Sequence, residues 1–124
     1  MHGIYIALVL LAAIVHAGFM VGEMHPWPKP RLLSHFADKP PGMKEFDADQ
    51  LWLIAAIVKN AGIYNAIIAG GLFWAIASDN PGIARVLLLG AGVAGLFGAV
   101  TLKSRAPMLQ AAVGLAGFFV SLAI

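Results

Sequence analysis

Polar side chains that can do chemistry lie inside strongly apolar stretches of this 124-residue chain. His16 and Glu23 are seven residues apart in the first stretch, so a helix places them on one face, two turns apart. A carboxyl group can act as an acid, an imidazole as a base or an acid, and removal from water disfavours the charged form of both. The pair predicts acid/base chemistry at a membrane-embedded site.

The second apolar stretch carries further polar groups. Asn60 and Tyr64 are helical neighbours four residues apart, whereas Lys59 and Asn65 point elsewhere by helical phase. We expect Lys59 to lie roughly 10–15 Å below one membrane surface at a depth similar to His16, where a charge costs at least ~2.5–3.5 kcal/mol. The predicted catalytic residues are His16, Glu23 and Tyr64, and the predicted substrate-binding residues are Trp27, Lys59, Asn60, Asn65 and Gln110.

Structural roles are the alternatives at the same positions. His16 and Asn60 can serve only as hydrogen-bonding contacts between membrane helices. Glu23 can mark the membrane interface, and Lys59 can extend its stem toward the surface.

Metal and cofactor sites are not favoured. Met20, Met24 and His25 offer soft ligands for Cu(I), but a methionine-rich helix edge is more often packing. A haem needs two axial ligands within the helices, and only His16 qualifies. The absence of cysteine excludes disulfides and thiolate metal sites. We predict no cofactor and no metal.

The composition is that of an integral membrane protein. Hydrophobic residues make up 60% of the chain and charged residues 11%, with a mean hydropathy of +0.86, whereas soluble domains are about 25% charged. The net charge of +2 is spread over loops, so no basic stripe indicates nucleic-acid binding. The length predicts a single transmembrane domain over residues 1–124.

The apolar runs predict an all-α, antiparallel up-down bundle of four membrane helices. Their expected ranges are about 3–23, 49–77, 82–102 and 107–124, with a proline-rich cytoplasmic loop over 24–48. The turn Ser78–Gly82 is too short for anything but antiparallel neighbours. A cleaved signal peptide is the alternative for the first run, but no Lys or Arg precedes it.

Small residues recur every four positions in the third helix and predict close approach of another helix. This pattern indicates a surface for a homo-oligomer or for a partner protein. One row is Gly90, Ala94 and Gly98, and the neighbouring row is Ala91, Gly95 and Ala99.

The distribution of Lys and Arg predicts the orientation. The first and third loops carry most of these residues, so they should be cytoplasmic and both termini should be non-cytoplasmic. The residues are Lys29, Arg31, Lys39, Lys44, Lys103 and Arg105. We expect a multi-pass protein of a bacterial inner membrane.

A characteristic spacing links residues of the first two helices. It consists of His16, Glu23-Met24, Trp27 and Pro30, then Asn60, Gly62, Tyr64, Asn65 and Ala69–Leu72. This pattern resembles the DUF1304 family of small bacterial membrane proteins, although this chain has Ala61 where the pattern has a glutamine. The resemblance covers nearly the whole chain and implies a four-helix membrane protein, but no particular reaction.

Three classes of function remain open. The first is an enzyme that acts on an apolar, lipid-soluble molecule by acid/base chemistry, such as isomerisation, cyclisation or epoxide opening. The second is a transporter, exporter or small-molecule-binding protein that works as an oligomer, and the third is an accessory subunit of a membrane complex. The expected partners are membrane lipid and an apolar small molecule.

Overall fold

The computed structural model describes residues 2–25, 48–102 and 105–124. Within those ranges the secondary structure is entirely helical: α1 spans His2–Met24, α2 Ala48–Ala77, α3 Pro81–Leu102 and α4 Arg105–Ser121. The all-α prediction is confirmed. The first three helices differ from their expected bounds by one residue at most, whereas α4 begins two residues earlier and ends three residues earlier than expected.

Three of these helices are long and apolar enough to cross a membrane. The apolar segments are Gly3–Met24, Trp52–Ala77 and Pro81–Leu102, of 22, 26 and 22 residues. At 1.5 Å per residue, even the shorter ones reach about 33 Å, which exceeds a hydrocarbon core of about 30 Å. The structure therefore indicates a multi-pass membrane protein.

Local backbone and side-chain chemistry explains the short turn between α2 and α3. Asp79 adopts a positive φ of 48°, a left-handed conformation that Asp tolerates better than most residues. The Asn80 side-chain oxygen then accepts a hydrogen bond from the Ile83 N–H at 3.2 Å, and Pro81 begins α3. Asn80 is thus the cap of α3, and Pro81 occupies a first-turn position where no N–H is needed.

Helices α3 and α4 pack backbone against backbone. A Cβ atom added to Gly114 would lie 2.6 Å from the Gly92 nitrogen, and one added to Gly95 would lie 2.8 Å from the Pro107 carbonyl oxygen. The row that contains Ala91 and Gly95 therefore packs against α4 within the same chain, whereas Gly90 and Ala94 are exposed.

The shared core of the described helices occupies only one half of their length. Its buried members come from all four helices, near the end that bears the α2–α3 turn. At the other end α1 stays paired with α2 and α3 with α4, and the first turns of α2 expose Trp52, Leu53 and Ile57. The core cluster consists of Tyr5, Val9, Ala12, Ala13, Leu72, Ala75, Ala84, Leu88 and Val113.

Candidate functional site

Glu23 and Asn65 form a direct polar contact between α1 and α2. The Asn65 Nδ2 donates to Glu23 Oε2 at 2.7 Å, and both side chains are half-buried. Gly62, one turn earlier on α2, permits this approach. A Cβ there would meet Glu23 Cβ at 3.2 Å and Met24 Cγ at 2.8 Å. The glycine lets the end of α1 lie directly on α2 and brings the two polar side chains together.

This pair lies opposite the middle of the apolar segment of α2. Asn65 is thirteen residues from Trp52 and twelve from Ala77, the two ends of that segment, or about 20 Å from each. Glu23 is itself one residue from Met24, where the apolar segment of α1 ends, so the end of α1 brings the carboxyl group against the middle of the apolar segment of α2. An ionisable group packed against an apolar membrane helix is a candidate functional residue by default.

His16 is the most deeply buried polar residue that the sequence singled out, with 1% of its surface exposed. Its Nδ1 lies 2.8 Å from the Ala12 carbonyl oxygen. A carbonyl can only accept, so Nδ1 carries the proton and Nε2 of the neutral ring has a free lone pair. Nε2 is buried and has no hydrogen-bond partner within the described ranges. The ring therefore presents an unused acceptor inside the protein.

His16 and Glu23 are not in direct contact. They share a face of α1, but their separation of seven residues corresponds to about 10 Å along the helix axis. A hydrogen bond requires about 3 Å. The two groups can act on the same molecule only if that molecule extends along α1 between them.

Lys59 does not lie at the depth of His16, so that expectation is wrong. Gly62 is beside Glu23, and the antiparallel helices place His16 two turns to one side of this level and Lys59 one turn to the other. About 15 Å along the axis therefore separates them. The expectation assumed that α2 starts where α1 ends, whereas fourteen residues of α2 precede Gly62.

The other predicted residues do not converge on Glu23 in the described ranges. Tyr64 is 61% exposed and Asn60 is also exposed, so both face outward from the α1–α2 pair. Gln110 is half-buried on α4 and belongs to the α3–α4 pair. Trp27 lies outside the described residues.

No cluster of three His, Cys, Asp or Glu side chains suited to a metal ion occurs in the described part of the chain. Met24 and His25 are exposed at the end of α1. Their copper-binding role stays the less favoured alternative.

Sequence reasoning missed a second polar group at the opposite end of the helices. Arg85 Nε donates to Ser121 Oγ at 3.1 Å, and Arg85 Nη2 donates to the Ser121 carbonyl oxygen at 2.6 Å. Tyr5 and Arg85 line one pocket there. The signal in the sequence was a Tyr and a Ser inside apolar runs, each of which also fits ordinary packing.

The fold and the Glu23–Asn65 contact define the class: a multi-pass helical membrane protein with a carboxyl–carboxamide pair between its first two helices. The family described as "Protein of unknown function (DUF1304)" matches residues 10–122. The chain belongs to the DUF1304 family, as the sequence resemblance indicated, and the match includes His16, Glu23 and Asn65. No curated protein and no solved structure matches the chain significantly.

Proposed function

We propose that this protein acts on a lipid-soluble molecule by acid/base chemistry, with Glu23 as the catalytic acid. The observation that carries the proposal is the 2.7 Å hydrogen bond from Asn65 to Glu23 opposite the middle of the apolar segment of α2. Carboxyl groups packed against apolar membrane helices are costly and are associated with function in membrane proteins.

The hydrogen-bond geometry suits proton donation. Asn65 occupies Oε2 of Glu23, so Oε1 remains for a proton that can be transferred to a substrate. The carboxylate left after transfer keeps the Asn65 N–H as a donor, which stabilises its charge. A carbon–carbon double bond or an epoxide oxygen would be a suitable acceptor, because either becomes a reactive cation on protonation.

His16 provides the complementary group. Its Nε2 lone pair can accept a proton, or a hydrogen bond from a substrate hydroxyl, about 10 Å deeper on the same face of α1. In a cyclisation, protonation by Glu23 would form a cation at one end of the substrate, and successive double bonds would attack it and form carbon–carbon bonds, which moves the cation along the chain. The proton lost from the carbon next to the final cation would go to His16, so the substrate is an elongated apolar molecule with several double bonds.

Access from the membrane supports this class of substrate. Glu23 and Asn65 are half-buried rather than enclosed, and apolar side chains such as Ile63 and Ile67 are exposed on the same stretch of α2. A molecule dissolved in the lipid can thus reach the carboxyl group without crossing an aqueous phase.

The test is mass spectrometry of the molecules that stay bound through gentle purification. Wild type is compared with Glu23→Gln and with Asp49→Asn, a control that removes an exposed carboxylate from the first turn of α2. We expect an apolar molecule to accumulate in Glu23→Gln, and its altered form to appear in wild type and in the control. The same unmodified molecule in all three would refute catalysis and indicate binding or transport.

We further propose a bacterial inner-membrane location with both termini outside the cytoplasm, supported by the loop charges. The chain has no cysteine, so a single introduced thiol is a unique label. Ser78→Cys in the α2–α3 turn should react with an impermeant maleimide on intact spheroplasts, and Ser104→Cys only after lysis. The reverse pattern would invert the topology.

A homo-oligomer through α3 also stays a proposal. The exposed row of Gly90 and Ala94 is where a second copy would pack. Cross-linking of a Gly90→Cys variant in membranes tests this contact, and an exclusively monomeric product would refute it.

A further inference from the structure

A pocket lies at the end of the helices that bears the α2–α3 turn. Its volume is about 130 Å³, and its wall includes Tyr5 from α1, Arg85 from α3 and Asp79 from the turn. It is far from Glu23, which sits at the opposite end of α1. The proposed catalytic chemistry does not use any of these residues.

Tyr5 is the first sign that the pocket has a ligand. The residue is 8% exposed, and its hydroxyl is buried without a hydrogen-bond partner in the described part of the chain. Buried hydroxyl groups are nearly always hydrogen-bonded, because leaving one unpaired in an apolar setting is unfavourable. A missing partner is therefore expected beside Tyr5.

Arg85 supplies the charge. Its guanidinium is held by two donations to Ser121, whose hydroxyl and carbonyl oxygens are both neutral. The structure shows no ion pair between Arg85 and a carboxylate among the residues it describes. Arg85 also lies within electrostatic reach of Tyr5. A fixed cation and an unused hydroxyl donor thus border the same pocket.

We propose that this pocket binds a singly charged oxyanion on an apolar chain, the phosphodiester or carboxylate group of a membrane lipid. Tyr5 and Arg85 are both donors, which suits an anionic oxygen. Asp79 in the same wall disfavours a multiply charged anion by repulsion. The remaining wall includes Ile6 and Ile76, which suit the first methylene groups of a lipid chain.

The position along the helices agrees with a lipid headgroup. Tyr5 is three residues from the start of α1, and Arg85 is four residues from the start of α3. Both are about one helical turn, or 5–6 Å, inside the ends of their helices. That depth corresponds to the boundary between headgroups and hydrocarbon.

The experiment measures thermal unfolding of the full chain in an uncharged detergent with increasing concentrations of added ligand. The ligands are dioleoyl phosphatidylglycerol, oleate, inorganic phosphate and, as an uncharged control, dioleoylglycerol. Four proteins are compared: wild type, Tyr5→Phe, Arg85→Gln and Arg105→Gln. The last removes an exposed arginine at the start of α4, at the other end of the helices.

We expect the anionic lipid or oleate to raise the unfolding midpoint of wild type and of Arg105→Gln equally. The apparent affinity should be about tenfold weaker in Tyr5→Phe, as expected for the loss of one hydrogen bond to a charged group. Without an added anion, Tyr5→Phe should be at least as stable as wild type, because it removes an unpaired buried hydroxyl.

Equal stabilisation of all four proteins, or none of wild type, would overturn the proposal. Stabilisation by dioleoylglycerol to the same extent would also overturn it, because the charge would then be irrelevant. A response to phosphatidylglycerol alone identifies a phosphodiester, and a response to oleate alone identifies a carboxylate. If Arg85→Gln does not fold, the comparison of ligand affinity between Tyr5→Phe and Arg105→Gln still tests the proposal.

Discussion

The substitution Gly114→Ala should separate α3 from α4 and destabilise the protein. A Cβ at position 114 would lie 2.6 Å from the Gly92 nitrogen, 2.8 Å from the Leu88 carbonyl oxygen and 3.0 Å from Gly92 Cα. Favourable contacts between such atoms need about 3.5–4.0 Å. All three atoms belong to backbone, so no side-chain rotation relieves the clash, and the helices must move apart by about 1 Å.

The expected magnitude combines two opposing effects. Overpacking costs about 1–3 kcal/mol, and the upper end applies here because the obstructing atoms are backbone. Alanine regains about 1 kcal/mol over glycine in a helix interior. The net loss in the free energy of unfolding should therefore be about 2 kcal/mol.

Gly70→Ala is the matched control, in the interior of α2. Gly70 is exposed, and nothing lies within 4 Å of its added Cβ, so only the helix-propensity gain of up to about 1 kcal/mol applies. The assay is equilibrium unfolding of both variants in mixed detergent micelles, followed by circular dichroism. A Gly114→Ala protein within about 0.5 kcal/mol of wild type, or more stable than Gly70→Ala, would refute this packing.

Three other predictions follow from the α1–α2 pair. A double-mutant cycle of Glu23→Met with Asn65→Leu should show a coupling of about 0.6–1.7 kcal/mol in equilibrium unfolding; additivity would mean that the hydrogen bond contributes nothing. His16→Leu should unfold at the same or a higher temperature than wild type, because it removes an unpaired buried nitrogen, yet it should abolish conversion of the bound molecule; a large loss of stability would contradict the buried lone pair. Gly62→Ala should destabilise the protein, but less than Gly114→Ala, in the same unfolding assay, since the flexible Met24 side chain can move away from the new methyl group whereas Glu23 Cβ, 3.2 Å from it, is fixed to the backbone of α1; a cost like that of Gly114→Ala, or none, would contradict this.

The local pattern of the chain was sufficient to predict the helices. Long apolar runs bounded by Pro, Gly, Asn and Asp specify membrane helices, because backbone groups in lipid must be satisfied within the segment. The cap at Asn80 and the first-turn Pro81 follow from the same local chemistry. The seam between α3 and α4 was predictable in kind, since small residues recur every four positions. All of these depend on neighbours close in sequence.

The choice of contacts depended on the tertiary structure. Two small-residue rows were equally regular, and only packing against α4 shows that the row of Ala91 and Gly95 faces inward. Asn60 and Tyr64 appeared as suitable as Asn65, but only Asn65 meets Glu23. Periodicity specifies which residues share a face of one helix, whereas it contains no information about which face meets a neighbour.

The axial offset between α1 and α2 is the clearest example of a feature that only the tertiary structure decides. The two helices are joined by 23 residues, from 25 to 47, a length that permits many relative positions along the helix axes. Gly62 decides among them by allowing Met24 and Glu23 to lie against α2. The sequence alone thus determines a membrane protein with ionisable groups in its helices. Only the packing places Glu23 beside Asn65 and separates Lys59 from His16 by about 15 Å along the axis, because the axial position of one helix against another is set by its contacts.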